Sequence, residues 1–263
     1  LGAQENPAVV GGRFLRIYGR IAGEAQYGVI FFMPGPSDYV DGTYLRQNPD
    51  WHVADSAWKV QQILKILRSN QVNPSTVLDV GCGAGEVLRL LQQSLVPDCE
   101  LWGSDISPQA LELSRQRASE QLHFAASEQE LPNRVFDLVI AIDVLAHVED
   151  YRAFLRKLKT QGTYKLLHIP LDLSVQHLLR ERSMARRRRL HTHLHYFSRR
   201  TVMFALEDLQ YEILDWHYTP RNIDIPDHLG GKLLKIPRKI LFGMNRNLAV
   251  NILGGFSLMV LAK

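Results

Sequence analysis

The sequence predicts an α/β protein built on a seven-stranded, mostly parallel sheet with helices on both faces. Three observations carry this. Short runs of β-branched and other apolar residues alternate with helix-period segments through the middle of the chain, the rhythm of strands joined by crossover helices. The run TVLDVGCGAGEVLRLL leaves a strand, turns on glycine and opens a helix. With 263 residues, 46% of them hydrophobic, the chain is long enough for one large domain with attachments.

Strands are expected at Thr76 to Val80, Glu100 to Ser104, Leu122 to Ala126, Phe136 to Ile142, Tyr164 to Pro170, Tyr211 to Tyr218 and Phe256 to Ala262. Ahead of the first, Ser56 to Leu67 places Val60, Ile63, Leu64 and Leu67 at helical spacing, with Pro74 as the stop. Glu86 to Leu95 carries Val87, Leu88, Leu90 and Leu91 on a crossover helix, and Pro108 suits the first turn of another. Ser198 is placed to cap a helix bearing Val202, Met203, Leu206 and Leu209. Residues 1–43 read as an N-terminal arm, broken by glycines and by Pro34-Gly35-Pro36, and 44–263 as the domain proper. Residues 174–198 form a basic excursion. Residues 222–253 form an insertion before the last strand, read as a helical cap, with contact to a membrane surface or a lipid as the other reading.

Composition narrows the function classes. Cys82 and Cys99 are too few for a disulfide framework, which favours a reducing, cytoplasmic setting. No apolar run approaches the ~18 residues of a membrane span, and neither a span nor a secretory signal is expected. The net charge of +4 is concentrated between Arg180 and Arg200, where eight arginines face one acid, leaving the rest of the chain net negative. Such local basicity fits an anionic partner or substrate better than a nucleic-acid coat.

The glycine run offers backbone N–H groups to a ligand at a strand-to-helix turn. Gly81, Gly83 and Gly85, with Cys82 among them, are followed by Glu86, where a dinucleotide fingerprint has a third Gly or Ala. A carboxylate at that position repels pyrophosphate. Asp79, at the end of the preceding strand, adds negative charge, so the loop favours a ligand bearing an ammonium or sulfonium. Asp105, in LWGSDIS, stands at the end of the second strand, where a carboxylate accepts hydrogen bonds from ribose hydroxyls.

VLDVGCGAGEVL, LWGSDISPQALELSRQRA, LHFAASEQELPNRVFDLVIAIDVLAHVED and HLHYFSRRTVMFALEDLQYEILDW together resemble class I S-adenosylmethionine-dependent methyltransferases, over roughly Tyr44 to Trp216. The resemblance implies a Rossmann-like domain with S-adenosylmethionine as cofactor. It implies that Asp79 and the Gly81 to Gly85 loop hold the methionine part, with Asp105 on the ribose and Ile106 against the adenine. Many relatives carry Gly-Asp before the LP of the third-strand loop. This chain has Ala126 and Ser127 there, so Ser127 or Glu128 is the candidate adenine acceptor. Tyr44, Trp51 and His52 are candidate lid residues, with Trp51 and Trp58 also readable as core anchors.

The fourth-strand end, IAIDVLAHVED, resembles the D-V-L-E-H-V pattern of small-molecule methyltransferases, with Ala146 in the acidic position. It implies that Asp143 and Val144 lie beside the cofactor and His147 on the substrate side. No N-P-P-Y or D-P-P-Y follows, which disfavours base N-methylation. Asp143 and Asp172 stand where metal-dependent O-methyl transfer would need ligands, but Asp172 precedes Leu173 where those relatives supply Asn, and no metal is expected. The stretch RLHTHLHYFSRR sets His191, His193 and His195 on one face if extended. It matches the H-x-H-F-F-S motif bordering the acceptor pocket, which makes His193 and His195, with His147, candidate catalytic residues. Arg186 to Arg189 read as a solvated face or as a phosphate-recognising fork. The expected activity is O-methylation of a small-molecule or glycan-like acceptor, with or without a phosphate. An RNA methyltransferase and a non-catalytic binding module are the alternatives.

Overall fold

A computed structural model of the chain describes residues 39, 41–48, 51, 53–180, 184, 185, 188, 192–225 and 235–263. The expected arm, residues 1–43, therefore lies outside the described residues except for Tyr39 and 41–43, as do His52, His191, Arg186, Arg187 and Arg189.

Strands β1 (Thr76–Val80), β2 (Glu100–Ser104), β3 (Leu122–Ala125), β4 (Phe136–Ile142), β5 (Gly162–Leu171), β6 (Ile213–Thr219) and β7 (Phe256–Ala262) form one sheet, in the order β3-β2-β1-β4-β5-β7-β6. β7 runs antiparallel to both β5 and β6, and the other pairings are parallel. This is the mostly parallel α/β sheet the alternation predicts, in the Rossmann-like form that the resemblance implies. The central strands are covered on both faces and so read as near-continuous apolar runs.

On one face, α1 (Thr43–Gln47) leads toward α2 (Ser56–Ser69), which packs with α3 (Glu86–Gln92) over Val77, Leu101 and Ile140. Ile63, Leu67, Leu88 and Leu91 are the inward positions their spacing predicts. Trp58 is anchored in that layer, its Nε1–H donating to Asp224 Oδ2 at 2.9 Å. α4 (Pro108–Arg115) starts on Ser107, whose side chain accepts from Ala110 N–H. On the other face, α5 (Tyr151–Gln161) and α7 (Arg199–Asp208) bury Leu155, Leu158, Val202 and Leu206 against Val139, Leu167 and Val260. Ser198 caps α7 reciprocally with Thr201. α6 (Val175–Leu178) follows β5, and α8 (Arg221–Asp224) follows β6. Within the insertion, α9 (Lys235–Met244) and α10 (Arg246–Leu253) precede β7.

Several boundaries differ from expectation, among them both ends of β5, which runs Gly162–Leu171 rather than Tyr164 to Pro170. The helix expected to reach Leu95 ends at Gln92, because Ser94 and Leu95 N–H both turn back to Leu91 O. β6 starts at Ile213 rather than Tyr211. Gln210 takes a left-handed φ of 58°, and Tyr211 N–H returns to Leu206 O, so Tyr211 belongs to the helix end. β3 stops one residue early, at Ala125.

Candidate active site

The sheet order reverses between β1 and β4, and the connections from these two strands leave in opposite directions along the sheet. Their carboxyl ends therefore leave a crevice, as in other open α/β sheets. A cleft of about 1260 Å³ opens there, more than the 300–1,000 Å³ of a typical single-ligand pocket. It has room for two molecules side by side.

Its floor is the loop after β1. Gly81 has φ 78°, and a Cβ there would fall 2.5 Å from Val144 Cγ2, so the position accepts only glycine without moving the strand beside it. Gly83 N–H donates to Asp105 Oδ2 at 2.8 Å and Ser107 N–H to Asp105 Oδ1 at 2.9 Å. Asp105 thus fastens the loop to the end of β2, with burial raising its pKa against those N–H donors. Asp79 is 2% exposed, and among the described residues its Oδ1 has no hydrogen-bond partner. Burial, reinforced by the Asp105 charge, raises its pKa to about 8.

Glu86 does not act as the sequence suggests. Its carboxylate is held by Arg89 Nη2 at 2.7 Å and Arg117 Nε at 2.9 Å, so its charge is met on the spot. The other carboxyl groups at the loop are Asp79 and Asp105, both with pKa values raised by burial.

Asp143 follows β4 in a left-handed conformation, φ 61°, that costs a non-glycine residue roughly 1–2 kcal/mol. Three contacts hold it. Its N–H donates to His168 O at 2.9 Å, Oδ1 lies 2.6 Å from His168 Nδ1, and Oδ2 lies 2.9 Å from Lys59 Nζ. Burial alone would raise its pKa, but Lys59 and His168 outweigh that and hold it well below the usual carboxylate range. Lys59 continues to Asp55 at 3.4 Å, and Asp55 to Arg221 at 2.8 Å. Sequence reading missed this chain. Its visible signal was His168, a polar residue inside the apolar run LLHIP.

At the cleft's outer edge, Trp51 lies against Gly83, its Cε3 3.7 Å from where a Cβ would stand. Its ring centroid is 5.1 Å from that of Tyr44, which is 7% exposed. Among the described residues the buried Nε1 of Trp51 has no hydrogen-bond partner. Ile106, 64% exposed, presents an apolar face to the cleft. Cys82, Ser127, Glu128 and Val144 also border it, but Glu128 is ion-paired with Lys157 and accepts from Gln161 Nε2.

The histidines separate. His193, 6% exposed, has Nδ1 2.6 Å from Asp172 Oδ2 and stands edge-to-face with His147, ring centroids 4.9 Å apart. His147 Nδ1 is 2.9 Å from Tyr39 Oη and 3.1 Å from Thr192 Oγ1. Both rings border the cleft. His195 does not. Its Nε2 lies 2.9 Å from Val148 O and 3.0 Å from Glu149 O, and its ring packs on Tyr151. His195, expected beside His193 at the acceptor, has its ring engaged by these carbonyls and by Tyr151 instead of lining the cleft. Arg188, of the arginine run, turns back to His193 O and Leu194 O. Asp143 and Asp172, weighed as metal ligands, are each paired with a nitrogen base.

The residues fit the expected cofactor. An ammonium would give Asp79 Oδ1 a hydrogen bond and add a positive charge to that of Lys59, and glycines keep the loop backbone open to close approach. Fold and site define a class I S-adenosylmethionine-dependent methyltransferase, and S-adenosylmethionine is its cofactor. A family model described as a methyltransferase domain matches residues 51–215, more than half of the chain, and the chain belongs to that family.

Among curated proteins, a demethylmenaquinone methyltransferase of Thermotoga maritima is 31% identical over 121 residues, covering 44% of this chain and 51% of the relative. A mitochondrial ubiquinone biosynthesis O-methyltransferase of Schizosaccharomyces pombe is 34% identical over 111 residues, 37% of this chain and 39% of the relative. The matches thus span about half or less of those relatives. The fold is shared with a plantazolicin methyltransferase solved with SAH, at TM-score 0.56 and 13% identity over 86% of this chain and 93% of that one. It is also shared with the SAH-bound magnesium protoporphyrin IX methyltransferase of Synechocystis PCC 6803, at TM-score 0.52 and 17% identity over 78% and 81%.

Proposed function

We propose that the chain methylates a hydroxyl of a small-molecule or glycan-like acceptor, with His193 as the general base. The observation that carries this is the 2.6 Å contact of Asp172 with His193 Nδ1 at the cleft wall. A carboxylate on Nδ1 fixes the proton there and leaves the basic lone pair on Nε2, the arrangement of an oriented base. When bound, S-adenosylmethionine supplies an electrophilic methyl group on a positively charged sulfur. Asp79 and the Gly81 to Gly85 loop hold its methionine part, Asp105 its ribose, and Ile106 with Ser127 its adenine, while Tyr44 and Trp51 cover it. Asp143 shapes the floor between the two ligands, with Val144 filling the space above Gly81. His193 takes the proton as the hydroxyl oxygen becomes a nucleophile, Asp172 stabilises the imidazolium, and His147 lines the same wall.

The named activities of the two curated relatives, one of them an O-methyl transfer, support a small-molecule acceptor. Among the described residues no helix is long and apolar enough to cross a membrane. Cys82 and Cys99 are free, buried thiols, in keeping with a cytoplasmic setting.

A methyl-transfer screen over phenols, hydroxylated glycans and RNA tests the reading, with wild type and His193→Ala compared. We expect transfer to a hydroxyl acceptor, and turnover in the variant to fall at least ~100-fold while SAH binding is kept. Full turnover by the variant, or transfer to RNA alone, would overturn it.

A further inference from the structure

Helix α9 packs Leu241 and Phe242 against the core and sets an arginine on its inward side. Its isoleucine and methionine side chains face solvent, with Ile236 69%, Ile240 58% and Met244 79% exposed, while Arg238 is turned inward and 7% exposed. Arg238 borders the cleft, and among the described residues its Nε has no hydrogen-bond partner. Burial, and then the charge of Arg180, press its pKa down, and among the described residues no carboxylate offsets either pressure. A guanidinium does not shed its proton under such pressure, so the residue stays charged in a place that favours neutral groups. Burying an unpaired charge is among the most unfavourable things a fold can do. A buried arginine at the cleft wall, on the side of the helix that also carries Leu241 and Phe242, is placed to take an anion.

The surroundings fix where that function lies. The Gln176 amide, turned with its oxygen toward Arg180, accepts from Arg180 Nη1 at 3.0 Å and donates to Leu253 O at 2.5 Å. This fastens α6 to the end of α10. His177 Nδ1 on α6 is 3.1 Å from Asp172 O, and Asp172 carries His193. Arg180 and Arg238 both border the cleft, the charge of the first acts on the second, and the Arg180 segment is tied through His177 to Asp172 and so to His193.

We propose that Arg238 and Arg180 form an oxyanion subsite that holds a phosphate or carboxylate group of the acceptor. The inference rests on the methyltransferase reading and narrows it to acceptors that carry a negative charge apart from the hydroxyl to be methylated. Two planar guanidiniums give an oxyanion several donors in fixed directions, and the anion supplies the opposite charge that Arg238 lacks among the described residues. The charged group then sets the distance at which the hydroxyl meets His193.

The test uses arginine-15N-labelled protein, titrated with inorganic phosphate and separately with benzoate, at ionic strength held constant with sodium chloride. The Arg238 Nε–Hε resonance, assigned by its loss in Arg238→Met, is expected to shift and saturate with one of the two probes. Which probe does so tells phosphate from carboxylate. Arg238→Met should melt higher than wild type without phosphate or benzoate, because a buried unpaired charge has gone, and should lose the stabilisation given by the active probe. Arg180→Gln, at an exposed position, should weaken that probe's binding about ten-fold or more without disturbing the fold. Calorimetry with SAH should give the same affinity in all three proteins. Silence of the Arg238 resonance toward both probes, or equal stabilisation of wild type and Arg238→Met, would overturn the subsite. Failure of wild type to bind SAH would instead strike the methyltransferase reading.

Discussion

Lys59 Nζ stands 2.9 Å from Asp143 Oδ2, both within the floor of the cleft, and this contact joins helix α2 to the end of strand β4. Lys59 is 8% exposed and also faces Asp55. Replacing it with Met keeps the apolar stem but leaves two carboxylates without their shared cation. Breaking a buried pair in this way costs about 3–5 kcal/mol, or roughly 6 °C or more in Tm at ~2–4 °C per kcal/mol for a domain of this size. Thermal melts at pH 7 measure it, and a Lys59→Met protein melting within a degree of wild type would contradict the assignment. The depressed Asp143 contributes stability that is fully present above its unfolded value of 3.8 and is lost only as pH falls further, through the lower folded value.

Asp79 works in the opposite sense. Its folded pKa is raised to about 8, so between its unfolded value and pH 8 the folded state holds the extra proton, and stability falls as pH rises through that window. An ammonium beside it requires the ionised form. Binding of SAH should therefore release a proton at pH 7, and the apparent affinity should rise about five-fold from pH 7 to pH 8. Asp79→Asn should flatten that dependence, raise stability at pH 8 and weaken SAH binding ~30-fold or more. Calorimetry in buffers of different ionisation enthalpy reads both proton release and affinity. Equal pH profiles for the two proteins would remove Asp79 from the ligand's charge balance.

The order of elements was legible because strands buried on both faces have little alternative to long apolar runs. β1, β2, β4 and β7 fall on the residues expected. The glycine loop was legible for the same kind of reason, since positive φ beside a packed neighbour leaves glycine as the only residue that fits without strain. Side-chain destinations were less so. Glu86 looks like an anion at the helix entrance until Arg117, 31 residues away in sequence, comes within 2.9 Å. His195 repeats the two-residue spacing of His193, yet carbonyls of a distant turn take its ring nitrogen. Lys59 and Arg238 sit in helices where a long side chain ordinarily reaches solvent, and only the tertiary packing decides that these two do not.

His195 yields a prediction from its placement alone. Its Nε2–H serves two carbonyls, Val148 O and Glu149 O, that lead into α5, while its ring rests on Tyr151 with centroids 5.0 Å apart. His195→Phe keeps the ring contact and removes the donor, which should cost about 1–2 kcal/mol of stability and leave kcat within about two-fold of wild type. Urea denaturation and steady-state kinetics separate the two effects. A loss of kcat comparable to that of His193→Ala would place His195 in the chemistry after all.

Asp172 acts on the acceptor through His193, and its substitution tests that relation. Asp172→Asn preserves shape, but the amide presents either an oxygen or an NH2 to His193 Nδ1. Where it presents the NH2, the imidazole proton moves to Nε2 and the basic lone pair turns away from the acceptor. Turnover should then fall by roughly 10²–10⁴-fold, with SAH affinity unchanged, because Asp79, Asp105 and the glycine loop are untouched. Acceptors of lower hydroxyl pKa need less help from a base, so an electron-poor phenol that is a substrate should lose much less rate than an aliphatic alcohol. A purely structural Asp172 would slow both acceptors alike, and that equality, measured as the ratio of kcat/KM for the pair in wild type and variant, would remove His193 from its role as base.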